Sequence, residues 1–239
     1  MPKSKYREIY HILKQRIESF EYEYKGLLPS EHMLIQEFDC SRNTVRRAIQ
    51  DLCAGGYVQS IRGKGVRVIY QPGHPAQFSL NGIESFTEAS DRNGILYTTK
   101  VILFSEMYVN EEIHAKTGME KGKEVYYIQR VRFIDGTPLI IDHNYFLKEV
   151  VTHLSKEIAE QSIYRYLEEE LNISITTTKR VITVEPVSKT DEENLELNGC
   201  NCVAVVSNST YNNDGIMFEY TQSRHSPKHF EFHEVAQRI

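Results

Sequence analysis

The stretch Ser41-Arg42-Asn43-Thr44-Val45-Arg46-Arg47-Ala48-Ile49-Gln50-Asp51-Leu52-Cys53-Ala54, followed by Gly55-Gly56, decides how this chain is read. Val45, Ala48, Ile49 and Leu52 fall at i, i+3, i+4 and i+7, which is one apolar face of a helix. Asn43, Arg46, Arg47 and Gln50 project from the other face, with Arg42 and Thr44 near the N-terminal end. Ser41 is a natural N-cap, and the glycine pair stops the helix, so the spacing predicts a helix over 42–54. Such a helix suits a major groove, with its N-terminal side nearest the bases. Arginine pairs bidentately with guanine, and Asn and Gln suit adenine. Ser41 and the helix N-terminus can receive a phosphate.

Three arginines alone would describe an ordinary solvated helix face. The flanking segments change that reading. Upstream, Leu28-Pro29-Ser30-Glu31 offers Ser30 as an N-cap and Glu31 for a first turn, predicting a short helix to about Phe38 and a turn at Asp39-Cys40. Earlier still, Tyr6, Ile9, Leu13, Ile17 and Phe20 recur at helical spacing over 6–20. Downstream, the β-type runs Tyr57–Ile61 and Val66–Tyr70 flank Arg62-Gly63-Lys64-Gly65, which reads as a hairpin tip. Lys64 between two glycines can approach a phosphate or a narrow minor groove closely. Gln71-Pro72-Gly73-His74-Pro75 has the composition of a linker.

The remainder mixes strands and helices. Val125–Ile134 and Leu139–Phe146 are apolar strands joined by a hairpin signal at Asp135-Gly136. Ser162 caps an expected helix Ile163–Leu171, and Val181–Val187 reads as a strand. Thr190, with Glu193 three residues on, is the expected cap of another helix. Val203–Tyr211 and Met217–Arg224 are a final strand pair. The fold class is α+β with an antiparallel sheet rather than regular βαβ alternation.

At 239 residues the chain suits one large domain or two modest ones, and 40% hydrophobic with 26% charged residues fits a globular protein. No run of about 18 apolar residues predicts a membrane span, and Met1–Tyr10 lacks the apolar centre of a signal peptide, so the cytoplasm is expected. Cys40, Cys53, Cys200 and Cys202 match neither a disulfide framework nor a zinc knuckle. The net charge of −5 hides an asymmetry: residues 1–70 carry 12 Lys and Arg against 8 Asp and Glu, and the rest 16 against 25. A basic front and an acidic back imply two domains with different partners.

In the second part, Arg130 and Arg132 stand two apart on a strand and so share a face. Two guanidiniums beside a buried sheet suggest an anion site, although a solvated salt-bridged face is the alternative. Ser85, Thr87 and the cap Ser162 could add hydroxyl and amide donors. Asp142 and Glu219 would accept from ligand hydroxyls, and Tyr164 and His225 could flank a ring. With an ideal two-residue turn at Asp135-Gly136, Asp142 points away from Arg130, and a one-residue bulge restores it.

Residues 1–70 resemble the winged helix-turn-helix of the GntR family, on Leu28-Pro29-Ser30-Glu31, Ser41–Ala48, Gly56-Tyr57-Val58 and Arg62–Val66. The resemblance implies that Arg42 and Arg46 read bases, that Ser41 and Thr44 touch the backbone, and that Gly65 enters the minor groove. Ser30 and Lys64 join this interface, and Arg47 either touches the backbone or faces solvent. Residues 80–239 resemble the UTRA domain of the HutC subfamily, whose fold is similar to chorismate lyase, on Ser85-Phe86-Thr87-Glu88, Arg130-Val131-Arg132, Ser162-Ile163-Tyr164 and Phe218-Glu219-Tyr220-Thr221. Within that subfamily, Asp142–Phe146, Ser162–Glu168, Val184-Glu185-Pro186 and Tyr220–His225 resemble the trehalose-responsive members. That implies trehalose 6-phosphate as effector, held by Ser85, Phe86, Thr87, Arg130, Arg132, Asp142, Ser162, Tyr164, Glu219 and His225; another sugar phosphate such as glucosamine 6-phosphate is the alternative. At Ser226-Pro227 the chain departs from the Arg and Asp usual in the subfamily.

A lyase-like enzyme is the competing class. No nucleophile elbow, metal triad or catalytic carboxylate pair is evident, no cofactor is implied, and fold alone does not carry function. A metal site from His225, His229 and His233 would need ligands about 13 Å apart on a strand to converge, so none is expected. The resulting expectation is a homodimeric repressor on operator DNA: a DNA-binding domain over 1–70, a linker over 71–79, and an effector-binding and dimerisation domain over 80–239.

Overall fold

In the computed structural model the apolar stripe of the decisive helix is buried as a unit. Val45, Ala48, Ile49 and Leu52 of α3 (Arg42–Ala54) pack with Ile9, Leu13 and Ile17 of α1 (Lys5–Glu18) and Leu34 of α2 (Glu31–Phe38). Ser30 and Ser41 cap α2 and α3: the backbone N–H groups of Met33 and Thr44 donate to their hydroxyls. Asp39, in the left-handed region at φ 44°, turns the chain between them. Gly56, at φ 74°, ends α3 by sending the Tyr57 N–H back to the Leu52 carbonyl. β1 (Val58–Ile61) and β2 (Gly65–Val68) form the expected hairpin, each strand somewhat shorter than the apolar run, and β2 also pairs with residues 26–28.

The structure describes residues 5–71, 83, 85–94 and 96–231, without side chains for 91–93. Most of the expected linker (72–79) and His233 lie outside the described residues. The chain divides into two compact units, one reaching to residue 76 and one spanning 77–232. No helix among the described residues is long and apolar enough to cross a membrane. All four cysteines are half-buried and unbridged.

The second unit is built on a six-stranded antiparallel sheet: β3 (Tyr97–Tyr108), β4 (Glu124–Ile134), β5 (Thr137–Leu147), β8 (Met217–His225), β7 (Cys202–Asn212) and β6 (Ile175–Pro186), in that spatial order. Ile128 and Phe146 pack with Val151, Leu154 and Ala159, and with Ile163 and Leu167 beside α7 (Ile163–Arg165). The helix expected over 163–171 is one α-turn that widens into a π-turn at Tyr166–Glu170. α4 (Phe86–Asn93) precedes the sheet, α5 (Glu111–Thr117) links β3 to β4, and α6 (Lys156–Ala159) follows β5.

One local expectation is corrected, and one alternative left open by the sequence is decided. Helix α8 (Lys189–Asn194) is capped by Ser188, not Thr190, in a reciprocal capping box with Asp191. Asp191 is fully buried because Arg224 of β8 donates to both its oxygens, and that long-range pair fixes which hydroxyl caps. At the β4–β5 hairpin, Asp135 and Gly136 take φ of 49° and 79°, as a two-residue hairpin turn requires. Yet Arg132 pairs with Ile140 while Phe133 pairs with Pro138, so Leu139 is an extra, bulged residue. Below the bulge Arg130 lies opposite Asp142.

Candidate functional site

On the first unit, Ser30, Ser41, Arg42, Arg46, Arg47, Lys64 and Gly65 are exposed and Thr44 half-buried. Ser41 and Thr44 share a hydroxyl–hydroxyl hydrogen bond of 2.8 Å at the start of α3. Arg46 Nε donates to both carboxylate oxygens of Glu31, at 3.0 and 3.1 Å, which tethers its guanidinium to the start of α2. Arg47 takes a position the sequence did not suggest: its guanidinium lies 3.8 Å from the centroid of the Tyr6 ring, a cation–π contact that ties α3 to α1. At the hairpin tip Gly63 and Gly65 have φ of 72° and 106°, and a Cβ added at either would meet nothing within 4 Å, so the backbone beside Lys64 is open.

On the second unit a cavity of about 150 Å³ opens on one face of the sheet. All ten residues expected to hold an effector line it: Ser85, Phe86, Thr87, Arg130, Arg132, Asp142, Ser162, Tyr164, Glu219 and His225. The reason is register. Arg130 pairs with Asp142, Asp142 with Ser223, and Glu219 and His225 stand at two-residue steps from Ser223 on the same face. Phe86 and Thr87 begin α4, whose cap is Ser85: its hydroxyl accepts from the Glu88 N–H, and its own N–H donates to Glu88 Oε2.

The cavity wall is charged and wired. Arg130, Arg132, Asp142 and Glu219 are all at least 94% buried. Arg132 Nε donates to Asp142 Oδ2 at 2.9 Å, Arg132 Nη1 donates to Thr99, and Phe86 covers its guanidinium at 4.8 Å. Arg130 Nε donates to Asn144 Oδ1 at 2.9 Å, and its Nη2 stands 3.6 Å from Asp142 Oδ2. Burial, and then the Arg132 cation, push the Arg130 guanidinium down to about 9, so a further anion would be favoured there. Burial pushes the Asp142 carboxyl up, but Arg132, Arg130 and the Ser223 hydroxyl outweigh it and hold the group below the usual carboxylate range. Tyr164 and Thr221 donate to the two oxygens of Glu219 at 2.8 and 2.6 Å, and burial still raises that carboxyl. Burial also lowers His225 to about 4, so its ring is neutral at neutral pH.

Sequence reasoning missed Asn144, Arg180, Asn208, Thr221, Ser223 and Phe230, which also line the cavity. Asn144, Thr221 and Ser223 were findable, because each sits two residues from a chosen one on the same strand. Arg180 and Asn208 were not, because they enter through the β6–β7 pairing. Phe230, in the segment that departs at Ser226-Pro227, packs against His225 with ring centroids 5.0 Å apart.

Comparison with known proteins fits this architecture. Residues 5–68 match the model of bacterial regulatory proteins of the gntR family, and residues 92–231 match the UTRA domain. The transcriptional regulator TreR of Bacillus subtilis is 37% identical over 238 residues, spanning 100% of this chain and 99% of TreR. The repressor NagR of the same organism is 28% identical over 236 residues, 98% of this chain and 95% of NagR. Among solved structures, YydK of B. subtilis superposes with a TM-score of 0.81 over 98% of this chain and all of that one, at 24% identity, which speaks for the fold alone. The effector-binding domain of the B. subtilis trehalose repressor covers 59% of this chain and 99% of itself, with a TM-score of 0.54 and 37% identity. These relatives are regulators, not enzymes, and with both stretches of the chain matched, it belongs to the gntR family of bacterial transcriptional regulators and carries a UTRA domain.

Proposed function

We propose that the protein is a cytoplasmic operator-binding repressor released from DNA by a sugar phosphate, trehalose 6-phosphate. The observation that carries the effector reading is the pairing, on one cavity wall, of two buried arginines with a row of buried carboxylate, amide and hydroxyl groups. Arg130 and Arg132 suit a phosphate dianion, with Ser85, Thr87 and Ser162 adding hydroxyl donors and the first turn of α4 adding backbone N–H groups. Phe86 holds the Arg132 fork flat. Glu219, and Asp142 through lone pairs left by Arg132 and Ser223, accept from sugar hydroxyls, while Tyr164 and His225 flank the ring. The 37% identity to TreR, and to a domain described as that of a trehalose repressor, supports trehalose 6-phosphate over other sugar phosphates.

In this reading residues 1–70 bind DNA, 71–79 link, and 80–239 bind effector and dimerise. A homodimer places one α3 in each half of a pseudo-palindromic operator. Arg42 and Arg46 read bases, with Arg46 aimed by Glu31; Ser30, Ser41, Thr44 and Lys64 contact the backbone; Gly65 lets the wing enter the minor groove. The effector acts by binding one arrangement of the two DNA-binding units more tightly than the other.

Calorimetric titration of the full chain tests the effector. Trehalose 6-phosphate is expected to bind and unphosphorylated trehalose to bind at least tenfold more weakly. Arg130→Gln is expected to reduce the sugar phosphate's affinity by about tenfold or more, since a hydrogen bond to a charged group is worth about 1.5–3 kcal/mol. Binding of glucosamine 6-phosphate alone would move the regulator to another sugar phosphate. Equal binding of trehalose with and without its phosphate would contradict the role of the arginine pair.

A further inference from the structure

The cavity has a second cationic pole that the sugar-phosphate reading does not use. One row of the sheet runs Ile128, Asn144, Thr221, Asn208 and Arg180 across β4, β5, β8, β7 and β6, and all of these but Ile128 line the cavity. Arg180 therefore stands on the edge strand, four strand steps from the strand that carries Arg130 and Arg132. At 4.7–4.9 Å per step the two backbones are roughly 19 Å apart. Arg130 and Arg132 point in from one side of the cavity and Arg180 from the other, with the Asn144, Thr221, Ser223 and Glu219 side chains between them.

Arg180 is fixed but not neutralised. Its Nε donates to Asn208 Oδ1 at 2.8 Å, which uses one of five guanidinium N–H donors. Among the described residues no carboxylate lies within ion-pairing distance of it. Half-buried on a cavity wall, the remaining N–H donors gain from acceptors supplied by a ligand. Its surroundings differ from those of the first pole. Two arginines converge with the Ser85, Thr87 and Ser162 hydroxyls at one end, which matches a dianion. At the other end a single guanidinium sits with the Asn208 amide and the apolar Ile182 and Val206, which matches a neutral polyol ring.

We infer that Arg180, oriented by Asn208, contacts the second, unphosphorylated ring of a disaccharide phosphate and so selects that ligand over monosaccharide phosphates. This rests on the sugar-phosphate reading above: the phosphate anchors between Arg130 and Arg132, and the distal ring reaches toward β6. Asn208 acts here as a positioning residue, through the hydrogen bond its Oδ1 accepts from Arg180 Nε.

Calorimetry on the full chain separates the possibilities, using trehalose 6-phosphate, glucose 6-phosphate and inorganic phosphate as probes. Arg180→Gln is expected to weaken trehalose 6-phosphate by tenfold or more, and to leave glucose 6-phosphate and phosphate within about twofold of wild type. Arg180→Lys, which keeps the charge and removes the fork, should fall between. Asn208→Ala should reduce the preference for the disaccharide phosphate over the monosaccharide phosphate, a ratio that a general loss of folding does not move. Equal weakening of all three probes by both Arg180 variants would place Arg180 in the phosphate site and overturn the inference. Unchanged affinity for trehalose 6-phosphate in both variants would overturn it as well. If wild type binds none of the probes, the sugar-phosphate reading fails first and the inference falls with it.

Discussion

Exchanging Arg42 and Arg46 together for alanine is expected to lower operator affinity by about a hundredfold or more. Each bidentate base contact is worth about 1–3 kcal/mol, and about 1.4 kcal/mol is a tenfold change in affinity. The loss should come without loss of fold. Both side chains are exposed, Arg42 lies at the very start of α3, and the tie between Arg46 and Glu31 is a surface pair of little consequence for stability. The buried stripe of Val45, Ala48, Ile49 and Leu52, which holds α3 on α1, is untouched. Fluorescence anisotropy with labelled operator at one fixed salt concentration checks the prediction, because salt alone moves such affinities strongly. A double variant that binds operator within threefold of wild type would show that α3 does not read the bases.

The second large effect lies in the second unit. Arg132→Met removes the direct partner of Asp142, a carboxylate that is only 6% exposed. Breaking a buried pair from one side leaves an uncompensated charge, at about 3–5 kcal/mol. The lower end is expected here, because Ser223 still donates to Asp142 and Arg130 stays 3.6 Å away. Arg132→Met with Asp142→Asn should regain most of the stability and none of the effector response, since the anion site has lost one of its two cations. Urea unfolding followed by tyrosine fluorescence suits a chain with 15 Tyr and no Trp. The pH dependence has a definite sign. A carboxyl held below its usual range contributes stability at pH values above that range and loses it as pH falls through the folded value. The gap between wild type and Arg132→Met should therefore narrow on acidification into the carboxylate range. A single variant as stable as wild type at neutral pH would mean that the pair is not a support of this unit.

The fold of the first unit was legible because its information is local. Helical period, Ser caps, the Gly55-Gly56 stop and the glycines around Lys64 all lie within a few residues of what they determine. The contact of Arg47 with Tyr6 was not legible, since it depends on how α1 crosses α3. In the second unit, the face shared by Arg130 and Arg132 followed from strand period alone. The face of Asp142 did not, because a bulge at Leu139 decides it and no residue type there announces one. The cap of α8 was misread between two hydroxyls two residues apart, each followed three positions later by an acid. What separates them is Arg224, thirty-three residues downstream of Asp191, which pulls that carboxylate into the interior. Arg180 and Asn208 reach the cavity through a strand order of β5, β8, β7, β6 that runs against the sequence, so only the assembled sheet places them there.

The central claim is that one ligand, bound among Arg130, Arg132 and their neighbours, controls how the chain holds DNA. Anisotropy of the preformed complex with operator DNA, titrated with trehalose 6-phosphate, glucosamine 6-phosphate and trehalose at fixed salt, tests it most directly. Release of operator by trehalose 6-phosphate, with trehalose inert, is the predicted result. An operator complex that holds unchanged through saturating amounts of all three would contradict it.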